Sequence, residues 1–270
     1  MKTNSLHNKL VNSINKELKA IEKAEMKLQK KSKNMTTPYK DKIEAKIPAG
    51  LNNTLQVSFS KAFSIVFKHG VGIIEKGYNK EEIAADHDIR NYAIQKKGNR
   101  RELRKLKNSA AKSDFINMSV TTLEGIGLGV LGIGLPDIVL FIGMVLKGIY
   151  EVSLRYGYNY DSSAEKYLIL KMMGTALSKG EEWEINNKKV DEILCSPPFV
   201  SEDVINKEIE NTARLFATDM LVTKFIQGLP VVGVIGGALN PVYYSRILNY
   251  VRLKYQKRYL IDKLCERAIL

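Results

Sequence analysis

Apolar residues in the N-terminal segment recur at intervals of three and four positions, the spacing of one face of an α-helix. This stripe consists of Leu6, Leu10, Ile14, Leu18, Ile21 and Leu28. The lysines of the segment lie largely off the stripe, at Lys9, Lys16, Lys19, Lys23, Lys27 and Lys30. Pro38 interrupts the pattern, because proline lacks the N–H that a helix interior requires. The pattern predicts a long, basic, amphipathic helix.

Two further helices and a basic connector follow this segment. The apolar stretch from Pro48 to Gly77 predicts a core helix. A second helix is predicted from Asn79 to Gly98, since Asn79 is a favourable N-cap, Glu82 completes a capping box and glycine commonly follows a helix. The segment "NRRELRKLKNSAAKSD" then predicts a polar connector that is helical in part.

The second half of the chain contains two glycine-rich stretches, residues 125–146 and 228–241. Pro136 suits the first turn of a helix and restricts the residue before it, so two helical pieces should meet there. The second piece should end at Gly157. Further helices are predicted from Ser162 or Ser163, and from Ser201, and a basic amphipathic helix closes the chain. No segment alternates with period two, so the sequence predicts a compact all-α fold with basic amphipathic terminal helices.

Composition indicates a globular intracellular protein. Among 270 residues, 44% are apolar and 26% are charged. The two cysteines lack metal-ligand spacing, which fits a reducing compartment. The N-terminus shows no apolar signal region, so a cytoplasmic location is expected.

The net charge of +13 is concentrated in one part of the chain. Residues 1–113 contain 25 basic and 11 acidic residues, whereas residues 114–270 contain 17 and 18. We therefore divide the chain into a basic N-terminal extension, residues 1–46, and a helical domain, residues 47–270. The extension is expected to contribute little to the core.

The first glycine-rich stretch permits three interpretations. It contains a G-x-G-x-x-G pattern but lacks the preceding strand that a dinucleotide site requires. Residues 126–146 match the roughly 20 residues of a membrane span, although Asp137 would lie near its middle at a cost of about 2.5–3.5 kcal/mol. The favoured interpretation is helix packing through small residues, at Gly125, Gly129, Gly233 and Gly237, with Asp137 as a helix cap.

The basic connector is a candidate binding site for lipid or for a protein partner. Its cations are Lys96, Lys97, Arg100, Arg101, Arg104 and Lys105. It contains no aromatic residue to stack on bases, so nucleic acid is the less favoured ligand. A lysine-rich amphipathic helix suits an anionic membrane surface better. A solvated face without a ligand is the simplest alternative.

No catalytic or metal-binding constellation is visible in the sequence. Adjacent residues such as Asp86, His87 and Asp88 do not converge on one ion in a helix. The other histidines, His7 and His69, have no spaced partner. The sequence therefore predicts no metal site, no catalytic residue and no cofactor, and leaves an enzymatic activity uncertain.

Two ordered regions resemble the EcsC protein family over roughly residues 48–260. The first is "TTLEGIGLGVLGIGLPDIVLFIGMVLKGIYEVSLRYGYNYDSSAEKYLIL", and the second is "KFIQGLPVVGVIGGALNPVYYSRILNYVRLKYQKRYL". The matching positions are Pro136, Asp137, Tyr156, Gly157, Asp161, Glu165, Pro230, Gly233, Gly236, Gly237, Asn240 and Arg258. The resemblance implies proximity to membrane transport, because the family takes its name from a protein encoded beside an ABC transporter. It implies no catalytic residue.

These observations suggest three functions. The first is a peripherally membrane-associated protein that binds anionic lipid or a membrane-protein partner, as an accessory to a transport system. The second is a lipid-directed hydrolase, which would require Asp137 and another ionisable group in one cleft. The third is a nucleic-acid-binding module, which would require a basic groove of suitable width.

Overall fold

The computed structural model describes residues 2–34, 47–111, 136–226 and 241–268. These ranges are almost entirely helical and contain no strand, which confirms the predicted all-α class. The four packing glycines and the motif positions between 230 and 240 lie outside the described residues, so their predicted roles stay predictions. They are Gly125, Gly129, Pro230, Gly233, Gly236, Gly237 and Asn240.

Ten α-helices form the described part of the chain. They are α1 Lys2–Asn34, α2 Ala49–Ile65, α3 Val71–Glu75, α4 Lys80–Lys97, α5 Arg100–Ala110, α6 Pro136–Arg155, α7 Ser163–Leu177, α8 Gly180–Cys195, α9 Glu202–Ile226 and α10 Pro241–Ala268. A π-helical turn, Val66–Gly70, joins α2 to α3.

Local capping explains several helix boundaries. Asn79 accepts a hydrogen bond of 3.0 Å from the Glu82 amide, and Gly98 ends the same helix in the left-handed conformation, as predicted. Asn99 caps α5 in the same way, so the predicted connector is a regular helix. Ser162 caps α7 by accepting from the amide of Glu165, at 3.2 Å.

Helix α6 lies at the centre of the fold and packs against α2, α4, α5 and α10. Almost all its described side chains between Ile138 and Leu154 are buried. Nine residues of the stretch first considered as a membrane span, 138–146, are therefore packed largely against protein. The interior of the fold explains their apolar character.

Helix α1 is part of the core, which corrects the expectation that it contributes little. Leu10, Ile14 and Ile21 are buried in the same apolar cluster as the rest of the protein. They are covered because α1 packs against α4, α5, α8 and α10. An apolar helical stripe left in water would forgo the free energy of this burial.

Close helix packing through glycine occurs at Gly148, a position the sequence did not single out. A Cβ atom there would lie 2.5 Å from the Tyr244 hydroxyl of α10 and 3.2 Å from Leu248. Gly72, by contrast, has no neighbouring atom within 4 Å of such a Cβ. The contact between α6 and α10 therefore depends on the absence of a side chain at Gly148.

We predict that Leu10→Ala and Ile14→Ala each lower the free energy of unfolding by about 2–5 kcal/mol, because each leaves a cavity in the core. Met26→Ala is the matched control on the same helix, since Met26 is 53% exposed. Its effect should stay within about 0.5 kcal/mol. Chemical denaturation measures all three, and equal effects would contradict the docking of α1.

We also predict that Gly148→Leu destabilises the protein by about 1–3 kcal/mol through overpacking against α10. Gly72→Leu should be neutral or stabilising, because leucine has the higher helix propensity and the site is open. Thermal melting of the two variants provides the comparison. A Gly148→Leu protein as stable as the parent would show that α6 and α10 do not pack closely.

Candidate functional site

The outer side of α1 is a row of lysines. Its exposed cations are Lys9, Lys16, Lys19, Lys23, Lys27, Lys30, Lys31 and Lys33. Among the side chains of α1 that the structure describes, Glu22 is the one exposed acid. Burial of the apolar stripe forces this arrangement, since the lysines occupy the opposite side of the helix.

The end of α4 and the outer side of α5 extend this positive surface. Between positions 95 and 108, the exposed cations are Lys96, Lys97, Arg101, Arg104, Lys105 and Lys107, and no acid is exposed. Helix α5 packs directly on α1. We call these fourteen exposed cations of α1, α4 and α5 the basic face.

Two buried acids lie beneath the basic face. Glu17 is 2% exposed and Glu102 is 6% exposed. Arg100 donates to Glu17, and the Arg104 Nε lies 3.5 Å from the same carboxylate. Lys105 donates to Glu102 at 3.1 Å and holds the pKa of that carboxyl below its ordinary value.

These contacts refine the predicted ligand-binding set. Arg100 and Arg104 join α5 to α1, and Lys97 and Lys105 pair with Glu102 within one corner of the fold. Four of the six predicted cations thus have a carboxylate partner inside the protein. Lys96 and Arg101 are exposed, and the Lys96 amine lies 5.4 Å from the centroid of the Tyr92 ring.

A buried ionic network holds α1 against the opposite helices. The Lys254 amine is wholly buried and lies 2.5 Å from Glu25 of α1 and 2.7 Å from Asp191 of α8. Lys257 contacts both carboxylates at 3.0 Å. Burial lowers the pKa of Lys257, but its hydrogen bond to Asp191 and the charge of Glu25 raise it by more. The Lys257 amine therefore stays charged at neutral pH.

The tyrosine–glycine motif forms the turn after α6. Tyr156 is buried, and Gly157 adopts a positive φ of 83°, a conformation that favours glycine. The ring of His87 would lie 2.5 Å from a Cβ at Gly157. The His87 Nδ1 also hydrogen-bonds the Arg155 carbonyl at 3.0 Å. This motif therefore fixes α4 on the end of α6.

Glu165 joins the two regions of the family resemblance. Its carboxylate is buried and accepts from Arg258 at 2.7 Å and from the Tyr255 hydroxyl at 2.6 Å. The Arg258 guanidinium also lies over the Tyr158 ring, 4.0 Å from its centroid. Asp161 instead is exposed and lies 3.6 Å from Lys80. Glu165 thus has a structural partner, whereas Asp161 is at the surface.

A polar cleft of about 430 Å³ lies where α4, α5 and α6 meet. Its ionisable lining includes Asp86, Arg90, Lys147, Glu151 and Arg155. Burial raises the pKa of Glu151, although the charge of Lys147 acts against this. Asp86 accepts from Arg90, which lowers the pKa of its carboxyl. The cations and acids of the cleft largely pair with one another.

The structure does not describe the side chain of Asp137, on which the hydrolase hypothesis depends. Its chain position is in the first turn of α6, as expected. Within the described ranges, no group of three or more histidine, cysteine, aspartate or glutamate residues is arranged to hold a metal ion. The hydrolase hypothesis therefore gains no support from the described residues.

One described helical stretch has the length and composition of a membrane span. It is Ala49–Glu75, which comprises α2, the π-helical turn and α3. In its most apolar window 39% of the residues are buried within the protein, and it packs against α6 and α9. Core helices of soluble proteins meet the same criterion, so this stretch is weak support for membrane association.

The family model described as the EcsC protein family matches residues 12–260. The chain belongs to the EcsC protein family. The match begins within α1, so most of that helix belongs to the family region and is not an extension before it. No curated protein and no solved structure matched the chain.

In this EcsC-family protein, the sequence analysis did not identify the residues that form buried ion pairs. Glu17 was detectable, because it lies seven residues from Leu10 and so falls within the apolar stripe of α1. Glu25 also falls within the stripe, four residues after Ile21, but no local pattern identifies Asp191 and Lys254 as its partners. Their sequence separations of 63 and 229 residues make the network visible only in three dimensions.

We predict that Glu165→Gln destabilises the protein by about 3 kcal/mol, because Arg258 loses the charge that offsets its burial. The double variant with Arg258→Met should be less destabilised than the sum of the two single variants. Glu182→Gln is the control, because Glu182 and Arg214 form a half-exposed pair with a small expected effect. Strict additivity of the first two changes would exclude coupling between the motifs.

Proposed function

We propose that this EcsC-family protein associates peripherally with anionic membrane surfaces through the basic face. The observation that carries the proposal is the exposed charge of residues 6–33 and 95–108, fourteen cations against one acid. Four of these cations pair with carboxylates of the protein: Lys97 and Lys105 with the buried Glu102, Arg104 with the buried Glu17, and Lys33 with Glu184. The positive charge that remains points outward.

The positive charge of the basic face favours anionic lipids as its ligands. A lysine or arginine near an anionic bilayer contributes about 1 kcal/mol of attraction, so a few contacts are enough for reversible binding. The attraction falls off within a Debye length of about 10 Å at 0.1 M salt. The anionic lipids of the cytoplasmic leaflet suit a protein expected in the cytoplasm.

Helix α1 supports a membrane surface over nucleic acid as the ligand. Its cations follow the outer side of one helix from Lys9 to Lys33. The apolar side of α1 is buried in the core, so its lysines are the side chains that can face lipid headgroups, and the attraction is electrostatic. Binding of a membrane protein to the same face would be an alternative outcome of the tests below.

We predict that the intact protein floats with vesicles containing phosphatidylserine and that rising salt weakens binding progressively. Lys16→Glu combined with Lys23→Glu should weaken binding by more than about tenfold, because the two positions are two helical turns apart on the basic face. Melting temperature should change little, since both side chains are exposed.

The matched control is Lys189→Glu combined with Lys207→Glu. These lysines are also exposed but lie on α8 and α9 and are not members of the basic face. The control changes net charge by the same amount and should retain most of the binding. Equal loss in both double variants would indicate a non-specific charge effect. Flotation with purely neutral vesicles at high salt would overturn the electrostatic proposal.

A further inference from the structure

Two large apolar side chains are exposed together on the outer side of α4. Ile89 is 69% exposed and Tyr92 is 61% exposed. They are three residues apart, so they are neighbours on one helical face. Single exposed apolar residues are common and need no explanation. An aliphatic and an aromatic side chain that are exposed side by side on one helical face are less common than single exposed apolar residues.

This apolar pair is continuous with the basic face. The amine of Lys96, itself a member of the basic face, lies 5.4 Å from the centroid of the Tyr92 ring. The exposed acids of α4 are Glu81, Glu82 and Asp88, which all precede Ile89. The pair therefore lies where α4 changes from an acidic beginning to a basic end.

Tyrosine beside lysine is a chemical combination suited to a lipid interface. An interfacial tyrosine places its ring among the upper acyl carbons and its hydroxyl among the headgroups. Lys96 and Lys97 would meet the phosphates at the same depth. Insertion of the isoleucine side chain is favourable, because it removes apolar surface from water.

We propose that Ile89 and Tyr92 insert into the headgroup and upper acyl region of an anionic membrane when the basic face binds it. This inference rests on the proposed function and identifies its point of insertion. Two side chains are too few for a stable protein interface, which typically buries about 800 Å² per partner. A fluid lipid surface has no such minimum area, because the cations supply the remaining attraction.

Tryptophan fluorescence offers a direct test. The chain contains one tryptophan, Trp183, which is 5% exposed and supplies a constant background. Tyr92→Trp adds a second fluorophore at the proposed insertion point. Phe199→Trp is the control, because Phe199 is 99% exposed and lies between α8 and α9, outside the basic face.

With phosphatidylserine vesicles whose acyl chains carry bromine, the added fluorescence of Tyr92→Trp should shift to shorter wavelength and be quenched. That of Phe199→Trp should change little. In a parallel measurement, Ile89→Ala combined with Tyr92→Ala should reduce partitioning about tenfold without lowering the melting temperature. Val204→Ala, at a side chain 40% exposed on α9, should leave partitioning unchanged.

The two proposals fail in different ways. If the parent protein floats with anionic vesicles but position 92 is not quenched, insertion is overturned and the basic face remains the binding site. If the parent protein does not float, the proposed function fails and insertion fails with it. Equal quenching at positions 92 and 199 would also overturn insertion, because contact with the acyl chains would then not be local to α4.

Discussion

The burial of Lys254 between Glu25 and Asp191 determines how the outer part of the molecule is arranged. A wholly buried amine is costly unless opposite charges and hydrogen bonds surround it. Two carboxylates from different helices meet that requirement, and they do so only when α1, α8 and α10 lie together. The orientation of α1 follows from this constraint and from its buried apolar stripe.

This orientation also determines the surface chemistry. Because Leu10, Ile14 and Ile21 are buried in the core, the lysines on the opposite side of α1 are exposed to solvent. Glu17 draws α5 onto α1 through Arg100 and Arg104, which brings the second group of cations beside the first. Internal ion pairing therefore assembles the basic face on which the proposed membrane association depends.

Local features of the fold were predictable from the sequence. The caps at Asn79 and Ser162 and the helix ends at Gly98 and Gly157 depend on neighbours in the chain, and the structure confirms them. The role of α1 in the core was not predicted, because the partners of its acids Glu17 and Glu25 lie far away in sequence. The pairing of Glu165 with Arg258 is likewise a long-range contact, 93 residues apart.

Amide hydrogen exchange of α1, with and without anionic vesicles, tests whether the basic face exists before it meets a membrane. A helix already docked through Lys254 should exchange slowly in the free protein, comparably to α6, and vesicles should change its protection little. Fast exchange of α1 in the free protein, followed by strong protection on vesicles, would show that the helix folds on the lipid. That result would contradict a preformed face held in place by the buried ionic network.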